Sequence, residues 1–517
     1  MIFQIPSFPR LSAGRIAGLL LLAMMLAATS AHAAVQDITV GGSLGTSCNA
    51  NPDFSYAAKP GDTVNEVIGE LSAKGNVQWA FIGSSGCSSV VGNVATCGGL
   101  TITIPNGVVP QATKPTLTGN PTAADLGKVG YLTLQVTDSE GDGSSNLCGT
   151  RKYGFRTTND GGGWGDPHMT TVDGVHYDFQ GAGEFVALKE DKFEVHTRQR
   201  PVPTAAVPGA SAYTGLAVCV SIYSAVAARI GTNRVTLQPN LNGQPDPSAL
   251  QLRVNGNLVT TIPEGGLSLR AGGSSDPNAV LEGRIVRAAG GAYELDAVDG
   301  TQLVATPTYW NDQQTWYLNL NVYQTSAVHG IWGRLANGSW LPALPDGTSL
   351  GPMPRPLDER YRDLYDKFGG AWRVTNATSL FDYAPGTNTG TFTLADWPRF
   401  GSTSCLIQGQ TPAQPTTPQA AAQACSAVTD PAQKADCTFD VTVTGNTGFA
   451  QTYVTMQGFR PHGAGWQPQL PGQGSTSGPG TGARGSSSSH HWWWVLIVIL
   501  ILALLLIVWF VRKKKTP

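Results

Sequence analysis

The tripeptide Asp166-Pro167-His168 carries residue types that could break a peptide bond within the chain. An aspartyl carboxyl group can attack its own backbone carbonyl, and the tertiary amide nitrogen of proline leaves readily once it is protonated. His168 could assist the proton transfer, because an imidazole titrates near neutral pH. These residues raise the hypothesis of self-cleavage between Asp166 and Pro167 at mild acidity. The plain alternative, which we favour, is that Asp166 and His168 form hydrogen bonds within the first turn of a domain.

The motifs of common enzyme classes are missing from the sequence. It has no His-Glu-x-x-His zinc helix, no Gly-x-Ser-x-Gly nucleophile turn and no phosphate loop that ends in Gly-Lys-Ser/Thr. His176 and His196 have no partners at metal-ligand spacing, and His490-His491 follows a serine run. We interpret these histidines as structural or exposed residues. The sequence therefore predicts that the protein is not an enzyme and has no cofactor.

The two ends of the chain predict its compartment. A basic and then apolar N-terminal stretch ends in the small-residue site Ala31-His32-Ala33, which is typical of a secretory signal peptide over residues 1–33. The apolar run from Trp492 to Val511 is long enough to cross a bilayer as a helix. The basic tail that follows, residues 512–517, is expected to be cytoplasmic. We predict a single-pass membrane protein whose ectodomain faces the cell surface or periplasm. A removable sorting signal is the alternative for the C-terminal run.

Composition favours an exported protein rich in β-structure. The 517 residues include 13% charged residues and have a formal net charge of -2, so no basic field is present that would attract nucleic acid. Glycine (63) and proline (34) are abundant, as expected for many short strands joined by turns. We therefore expect an all-β ectodomain, and partners other than nucleic acid.

The cysteines indicate disulfides rather than a metal site. All 8 lie in the region expected to be exported, where disulfides persist, and none has the Cys-x-x-Cys spacing typical of structural zinc. Three pairings are open for the four cysteines that precede residue 160. The disulfide candidates are Cys48, Cys87, Cys97, Cys148, Cys405, Cys425 and Cys437.

Short β-rich runs mark an N-terminal domain over residues 34–160. Strands are predicted at Val77 to Ile82, Leu100 to Ile104 and Tyr131 to Val136, and the last two alternate as half-buried strands do. The order of motifs from Leu117 to Gly141 resembles the immunoglobulin-like and cadherin-like domains of bacterial surface proteins. The resemblance implies an immunoglobulin-like sandwich. The glycine run Gly161-Gly162-Gly163 that follows is interpreted as a flexible linker.

The segment from Trp164 to Gly181, WGDPHMTTVDGVHYDFQG, resembles the opening of von Willebrand factor type D domains. The resemblance continues through Val328 to Gly338, Leu344 to Thr348 and Phe368 to Tyr383, so it implies a type D β-sandwich over residues 161–388. Such domains are extracellular interaction modules. Some mucin members with Gly-Asp-Pro-His cleave themselves after the aspartate, which is the bond between Asp166 and Pro167 here.

Alternation and β-branched residues predict strands within the type D segment. The predicted strands are Glu184 to Leu188, Lys192 to Thr197, Leu216 to Ile222, Arg234 to Leu237, Leu303 to Thr308 and Thr315 to Val322. The region from Cys425 to Gly445 is similar to the part that follows type D domains in some membrane mucins. It implies a small cysteine-bearing appendage over residues 389–460. A Pro/Gly/Ser stalk is predicted over residues 461–490.

The chain departs from disulfide-rich relatives at two positions. Those relatives have cysteines where this chain has Gly183 and Trp332, so the resemblance implies that this particular disulfide is missing. Cys219 then lacks an obvious partner. It could pair with the odd cysteine among the three nearest the C-terminus or remain a buried thiol. We favour the buried thiol, because its neighbours form an apolar strand.

Relatives of this kind often bind calcium through the aspartate that matches Asp173. The later loop departs from their pattern, because Arg334 and Ala336 occupy positions where oxygen ligands are needed. We therefore expect no metal, with calcium at Asp173 as the alternative. We also expect an ion pair between Arg334 and Asp173.

These inferences combine into one hypothesis. The chain is expected to be a membrane-tethered extracytoplasmic protein that binds an unidentified extracellular protein or glycan, with a role in adhesion, surface architecture or ligand capture. The alternatives are a precursor that processes itself at Asp166-Pro167 and a surface protein with a removable C-terminal signal.

Overall fold

A computed structural model describes residues 37–39, 48–50, 54–72, 75–138, 148–216, 219–248 and 250–457. The predicted signal peptide (1–33), stalk (461–490), membrane span (492–511) and tail (512–517) lie outside these residues, as does His490-His491. Strand residues outnumber helical residues, at 40% against 16%, and they form several sheets, so the predicted predominance of β-structure is confirmed. Within the described ranges, the helices fall short of the length and apolar character that a membrane crossing needs.

The first strands form two main sheets with one core between them. Strands β6, β12 and β13 are central in a six-stranded sheet, and strands β9 and β11 are central in a five-stranded sheet. The strands are β1 (Asp37–Thr39), β2 (Asn49–Ala50), β3 (Phe54–Ala58), β4 (Val64–Val67), β5 (Glu70–Ser72), β6 (Asn76–Ser85), β7 (Cys87–Val91), β8 (Val94–Cys97), β9 (Leu100–Thr103), β10 (Val108–Pro110), β11 (Thr116–Gly119), β12 (Val129–Asp138) and β13 (Cys148–Thr157).

Strand β12 shows why the sequence pattern predicted this part well. Its residues alternate between buried and partly exposed along the whole strand. Leu132, Leu134 and Val136 are fully buried and pack with Ile102 and Leu117 of the other sheet. Since successive side chains of a strand point to opposite faces, alternation at period two encodes a sheet with one face in the core.

A second pair of sheets follows, and their facing sides share one large apolar core. The order β16-β15-β14-β27-β26-β25-β24-β23 forms an eight-stranded sheet, and β17 to β22 form a six-stranded sheet in chain order. The strands are β14 (Asn159–Trp164), β15 (His168–Thr170), β16 (His176–Asp178), β17 (Gly183–Lys189), β18 (Phe193–Pro201), β19 (Ser221–Ile230), β20 (Asn233–Gln238), β21 (Gln251–Val254), β22 (Asn257–Val259), β23 (Leu267–Arg270), β24 (Leu281–Arg287), β25 (Tyr293–Ala297), β26 (Gln302–Trp310) and β27 (Thr315–Thr325).

The predicted strands of this region match observed ones, with one displaced. The run expected at Leu216 to Ile222 is represented by β19, which begins only at Ser221. Strands β21 to β25 were missed, because their sequences lack long β-branched runs.

The glycine run Gly161-Gly162-Gly163 is not a flexible linker, so that interpretation is wrong. It lies buried in β14, which pairs with β15 on one side and β27 on the other. A Cβ atom at Gly162 would lie 2.2 Å from the Leu320 carbonyl oxygen, and one at Gly163 would lie 2.1 Å from the Tyr223 hydroxyl. Glycine is needed here for close packing rather than for chain freedom.

Helices are concentrated towards the end of the described chain. They are α1 (Leu357–Tyr361), which continues as a π-helical segment (Arg362–Gly369), α2 (Thr389–Phe392), α3 (Pro418–Ala424), α4 (Pro431–Thr444) and α5 (Gly448–Gln457). Short 3-10 turns occupy Ala123–Asp125, Ala271–Gly273, Ala289–Gly291 and Cys425–Ala427. Helices α3 to α5 share an apolar cluster with Trp164, Trp310 and Tyr317 of the eight-stranded sheet.

All eight cysteines are paired in four disulfides, which confirms the prediction of disulfide bonding. The favoured interpretation of Cys219 as a buried thiol is wrong, because it is bonded to Cys405, the other option that the sequence left open. The apolar surroundings that suggested a thiol are present, and they bury the disulfide instead. The remaining pairs are Cys48–Cys148, Cys87–Cys97 and Cys425–Cys437.

Candidate functional site

The turn between β14 and β15 contains the Asp166-Pro167 bond and lies against helix α4. Gly165 has a φ of +60°, a left-handed conformation that favours glycine. A Cβ atom at this position would lie 1.9 Å from an Asp440 carboxylate oxygen. The backbone amide of Asp166 donates to that carboxylate, with an N to Oδ1 distance of 3.2 Å. Glycine at 165 therefore allows a side chain of the distant helix to reach the turn.

His168 is the centre of a buried polar cluster. Its Nδ1 lies 2.8 Å from Oδ1 of Asp178, on the paired strand β16. Its Nε2 lies 2.8 Å from Oδ1 of Asp166 and 3.2 Å from Oδ1 of Asp440. Asp436 Oδ1 is farther away, 3.8 Å from Nδ1. The short β15–β16 hairpin thus supplies the imidazole and one carboxylate partner, while α4 supplies two further carboxylates.

Helix α4 presents two carboxylates on one face because Asp436 and Asp440 are four residues apart. The helix begins where the Asp430 side chain accepts a hydrogen bond from the Gln433 amide, and it ends at Gly445 in the left-handed region. Tyr453 of α5 donates to Oδ2 of Asp440 at 2.9 Å.

Trp164 is the counterpart on the sheet side of this contact. Its indole Nε1 donates to Oδ2 of Asp436, at a distance of 3.1 Å. The Cys425–Cys437 disulfide closes one turn of α4 onto the preceding segment. The two aspartates of the helix are therefore held in place by the sheet as well as by the helix itself.

The cluster holds four carboxyl groups, from Asp166, Asp178, Asp436 and Asp440, around a single imidazole, and each of the five side chains belongs to a residue no more than 5% exposed. Burial raises the pKa of the Asp166 carboxyl well above its usual range, against the attraction of His168. Burial also raises the pKa of Asp436. For His168, burial acts to lower the pKa, but the surrounding carboxylates outweigh it and the pKa is raised. The cluster therefore places carboxyl groups where negative charge without a partner is costly.

The carbonyl of the candidate scissile bond receives a hydrogen bond. Gln180 Nε2 donates to the Asp166 carbonyl oxygen at 3.1 Å. The Gln180 amide is itself oriented, because its Oε1 accepts from the Ser221 backbone amide at 2.7 Å. Oδ2 of the Asp166 carboxyl group is buried and has no hydrogen-bond partner. The turn thus combines a polarised carbonyl with an unengaged carboxyl oxygen on the same residue.

Asp173 lies at a separate place, in the turn between β15 and β16. Its Oδ2 accepts from the Leu335 amide at 3.0 Å, and its Oδ1 accepts from the Thr171 hydroxyl at 2.6 Å. The predicted ion pair between Asp173 and Arg334 is wrong. The Arg334 guanidinium instead donates to the Leu126 carbonyl at 3.3 Å. Two neutral donors satisfy Asp173 locally, so the arginine is available to link the two pairs of sheets.

Two other histidines pair with nearby side chains outside this cluster. His196 is buried, and its Nε2 lies 3.0 Å from Oε1 of Glu194. His176 is exposed, and its Nδ1 lies 2.8 Å from the Thr170 hydroxyl.

Sequence reasoning identified Asp166, Pro167 and His168 but missed Asp178, Gln180 and the two aspartates of α4. Asp178 and Gln180 fall within the recognised opening segment, although nothing in their spacing marks them as partners of His168. Asp436 and Asp440 are about 270 residues away along the chain. Their i, i+4 spacing was the available signal. Together, Asp166, His168 and Asp440 place three ligand-capable atoms within 4.8 Å of one another.

A search against protein-family models finds no match to this chain.

Proposed function

We propose that the chain is a membrane-tethered extracytoplasmic interaction protein with a role in adhesion, surface architecture or ligand capture. The observation that carries the proposal is the pairing of all eight cysteines in four disulfides. Disulfides of this number are typical of exported proteins, because thiols stay reduced in the cytosol. The predicted signal peptide and C-terminal span agree with this compartment, and the unidentified partner is an extracellular protein or glycan.

The finer fold belongs to the same proposal. The first pair of sheets, with its shared core, supports an immunoglobulin-like domain over residues 34–160. The second pair supports a type D domain over residues 161–388, in agreement with the motif order in the sequence. Residues 389–460 then form the cysteine-bearing appendage of that domain.

Intact-mass analysis of protein recovered separately from membranes and medium tests the anchoring. We expect a membrane-bound species that begins near Ala34 and retains residues 492–517, with a mass lower by eight hydrogens than the fully reduced chain. A mature species that lacks the C-terminal run supports the removable sorting signal instead. A reduced chain in the cytosol contradicts the proposal.

Self-processing at Asp166-Pro167 is a second candidate, favoured by the Gln180 hydrogen bond to the Asp166 carbonyl. The unengaged Asp166 oxygen attacks the carbonyl carbon to form a five-membered anhydride. The bond from that carbon to the Pro167 nitrogen breaks, and the nitrogen takes a proton from His168. Water then opens the anhydride and leaves two carboxyl groups on Asp166. Gln180 stabilises the oxyanion that develops on the carbonyl oxygen.

Fragment analysis tests the second candidate. The full-length protein is incubated at mildly acidic and at neutral pH, and new N-termini are sequenced. A fragment that begins at Pro167, suppressed by Asp166→Asn and slowed about a hundredfold by Gln180→Leu, is the expected outcome. An intact Asp166-Pro167 bond after prolonged incubation of the folded protein removes this candidate and leaves the interaction proposal standing.

A further inference from the structure

The atoms that surround the buried imidazole are spaced like ligands of one metal ion. His168 Nε2 is 2.8 Å from Asp166 Oδ1 and 3.2 Å from Asp440 Oδ1. Nitrogen and oxygen ligands of a zinc-class ion, each about 2.0–2.2 Å from the metal, lie roughly 3.0–3.4 Å apart from one another. The three ligand atoms all lie within 4.8 Å of one another, so side-chain shifts would close the remaining difference.

From this geometry, we propose that Asp166, His168 and Asp440 bind one divalent transition-metal ion of the zinc class. An imidazole nitrogen with two carboxylate oxygens suits zinc, manganese or cobalt(II) better than calcium, which takes six to eight oxygen ligands. The site joins the β14–β15 turn to helix α4, so metal binding would connect two parts of the fold.

The surroundings of His168 support this assignment. Its Nδ1 faces the Asp178 carboxylate at 2.8 Å, so this carboxylate would accept a hydrogen bond from Nδ1 when Nε2 binds an ion beside Asp166 and Asp440. A carboxylate that orients a histidine in this way is common around protein-bound metals. The Asp440 carboxylate is oriented in turn by the Tyr453 hydroxyl at 2.9 Å. The candidate ligands are therefore held in place before any ion arrives.

The negative charge of the cluster supports the metal site independently of the distances. Four buried carboxyl groups surround one buried imidazole. Among the described residues that form hydrogen bonds or ion pairs with these carboxyl groups, His168 is the basic one. A divalent cation would offset much of the negative charge, which is costly to bury without compensation.

A further observation points to a ligand. Asp166 is fully buried, yet Oδ2 of its carboxyl group has no hydrogen-bond partner. Buried carboxylate oxygens are nearly always engaged, so an unpartnered one marks a place for a proton donor, a water or an ion. The other oxygen of the Asp166 carboxyl group, Oδ1, lies 2.8 Å from His168 Nε2. A cation bound beside Nε2 would therefore contact a carboxyl group whose second oxygen, Oδ2, has no hydrogen-bond partner.

Metal titration of the full-length protein tests the proposal. To remove an unrelated binding site, His490 and His491 are both replaced by glutamine in every sample. After dialysis against a chelator, zinc is titrated by calorimetry and cobalt(II) by visible absorption. We expect one equivalent to bind, with a cobalt spectrum that indicates nitrogen and oxygen ligands.

Matched variants locate the site. His168→Gln and Asp440→Asn are expected to weaken zinc binding more than a hundredfold, and Asp178→Asn is expected to weaken it 10–100-fold through loss of histidine orientation. His176→Gln, on the same hairpin but exposed, is the control and should bind as the parent does. Circular dichroism identifies variants that fail to fold. If His168→Gln fails to fold, the cobalt spectrum of the parent protein and the zinc titration of Asp178→Asn show whether His168 is a ligand.

Two results overturn the proposal. One is the lack of saturable zinc, manganese or cobalt binding near one equivalent in the folded parent protein. The other is unchanged affinity in folded Asp440→Asn and Asp178→Asn. The titration is independent of the self-processing candidate, because it measures bound metal and not fragments. Either proposal can fail while the other stands, although a metal held by Asp166 would engage the carboxyl group that self-processing requires.

Discussion

At the residue scale, close packing around the site depends on glycines, which lack a side chain, as well as on polar side chains. Gly165 leaves room for Asp440, and Gly162 and Gly163 leave room for neighbouring strands and Tyr223. Of these positions, Gly165 is the one at which a side chain would collide with a carboxylate of the site. The glycine at position 165 therefore determines whether the Asp440 carboxylate of helix α4 reaches His168.

Gly165→Ala should be more destabilising than the same change at Gly174. Both glycines have positive φ, so alanine costs about 1 kcal/mol at either site from backbone strain. At Gly165 the new methyl group also meets the Asp440 carboxylate, whereas the Cβ position at Gly174 has no neighbour within 4 Å. We expect an extra loss of about 1–3 kcal/mol for Gly165→Ala. Thermal or denaturant unfolding measures it, and equal effects at the two positions would contradict the contact.

Glu194 should make stability depend on pH in acid. Burial acts to raise its pKa, but the hydrogen bond and charge of His196, the hydrogen bond of Arg229 and the charge of Lys189 outweigh it and lower the pKa to about 2. A carboxyl group with a lowered folded-state pKa contributes stability above its unfolded value, near 4.5, and loses it as the pH falls towards 2.

Glu194→Gln should therefore reduce stability by about 1 kcal/mol at neutral pH, and the difference from the parent should shrink below pH 4.5 and close as the pH falls to about 2. Unfolding curves recorded across this range measure the effect, with the exposed Glu264→Gln as control. A difference that stays constant with pH would show that lost packing, and not charge, is responsible.

At the element scale, helix α4 carries half of the site's carboxylates and depends on neighbours for its position. Its face packs with α3, α5 and the aromatic residues of the eight-stranded sheet. The Cys425–Cys437 disulfide ties its second turn to the 3-10 turn before it. The β15–β16 hairpin has strands of only 3 residues each, and β15 also pairs with β14. Neither element would hold the cluster geometry alone.

Replacing Cys425 and Cys437 together by serine should destabilise the protein by about 3 kcal/mol, as expected for a short loop released in the unfolded chain. The loop spans 12 residues, compared with 186 for Cys219–Cys405, so serine at the latter pair should destabilise more. Thermal midpoints of the two double variants compare them. A smaller effect for the longer loop would indicate residual structure in the unfolded chain.

At the scale of the whole molecule, a buried arginine connects the first pair of sheets to the second. Arg156 of β13 forms an ion pair with Asp299 at 2.7 Å and donates to the Gln324 carbonyl at 2.9 Å. Arg334 donates in the opposite direction, to Leu126. These contacts, with strand β14 running directly on from β13, leave little room for a hinge between the two pairs of sheets.

Arg156→Ala should loosen this connection. The change removes the Arg156 hydrogen bonds to the Asp299 carboxylate and the Gln324 carbonyl. Thr301 still donates to both residues and Asp299 is partly exposed, so we expect a loss of about 2–3 kcal/mol. Limited proteolysis should then cut near residues 157–160, which the parent protects. The exposed pair of Lys128 and Asp125 provides the control, because Lys128→Ala should change stability by no more than about 0.5 kcal/mol. Equal protease resistance in Arg156→Ala would contradict the coupling.

The sequence by itself determined the features that depend on neighbours along the chain. Period-two alternation identified β9 and β12, the cysteine content indicated disulfides, and Asp166-Pro167-His168 located one side of the site. Tertiary structure decided the rest. It placed Asp436 and Asp440 against His168, paired Cys219 with Cys405, and made a glycine run a buried strand. The physical reason is range: local patterns encode which face of a strand is buried, whereas contacts between residues hundreds of positions apart depend on how whole sheets and helices pack.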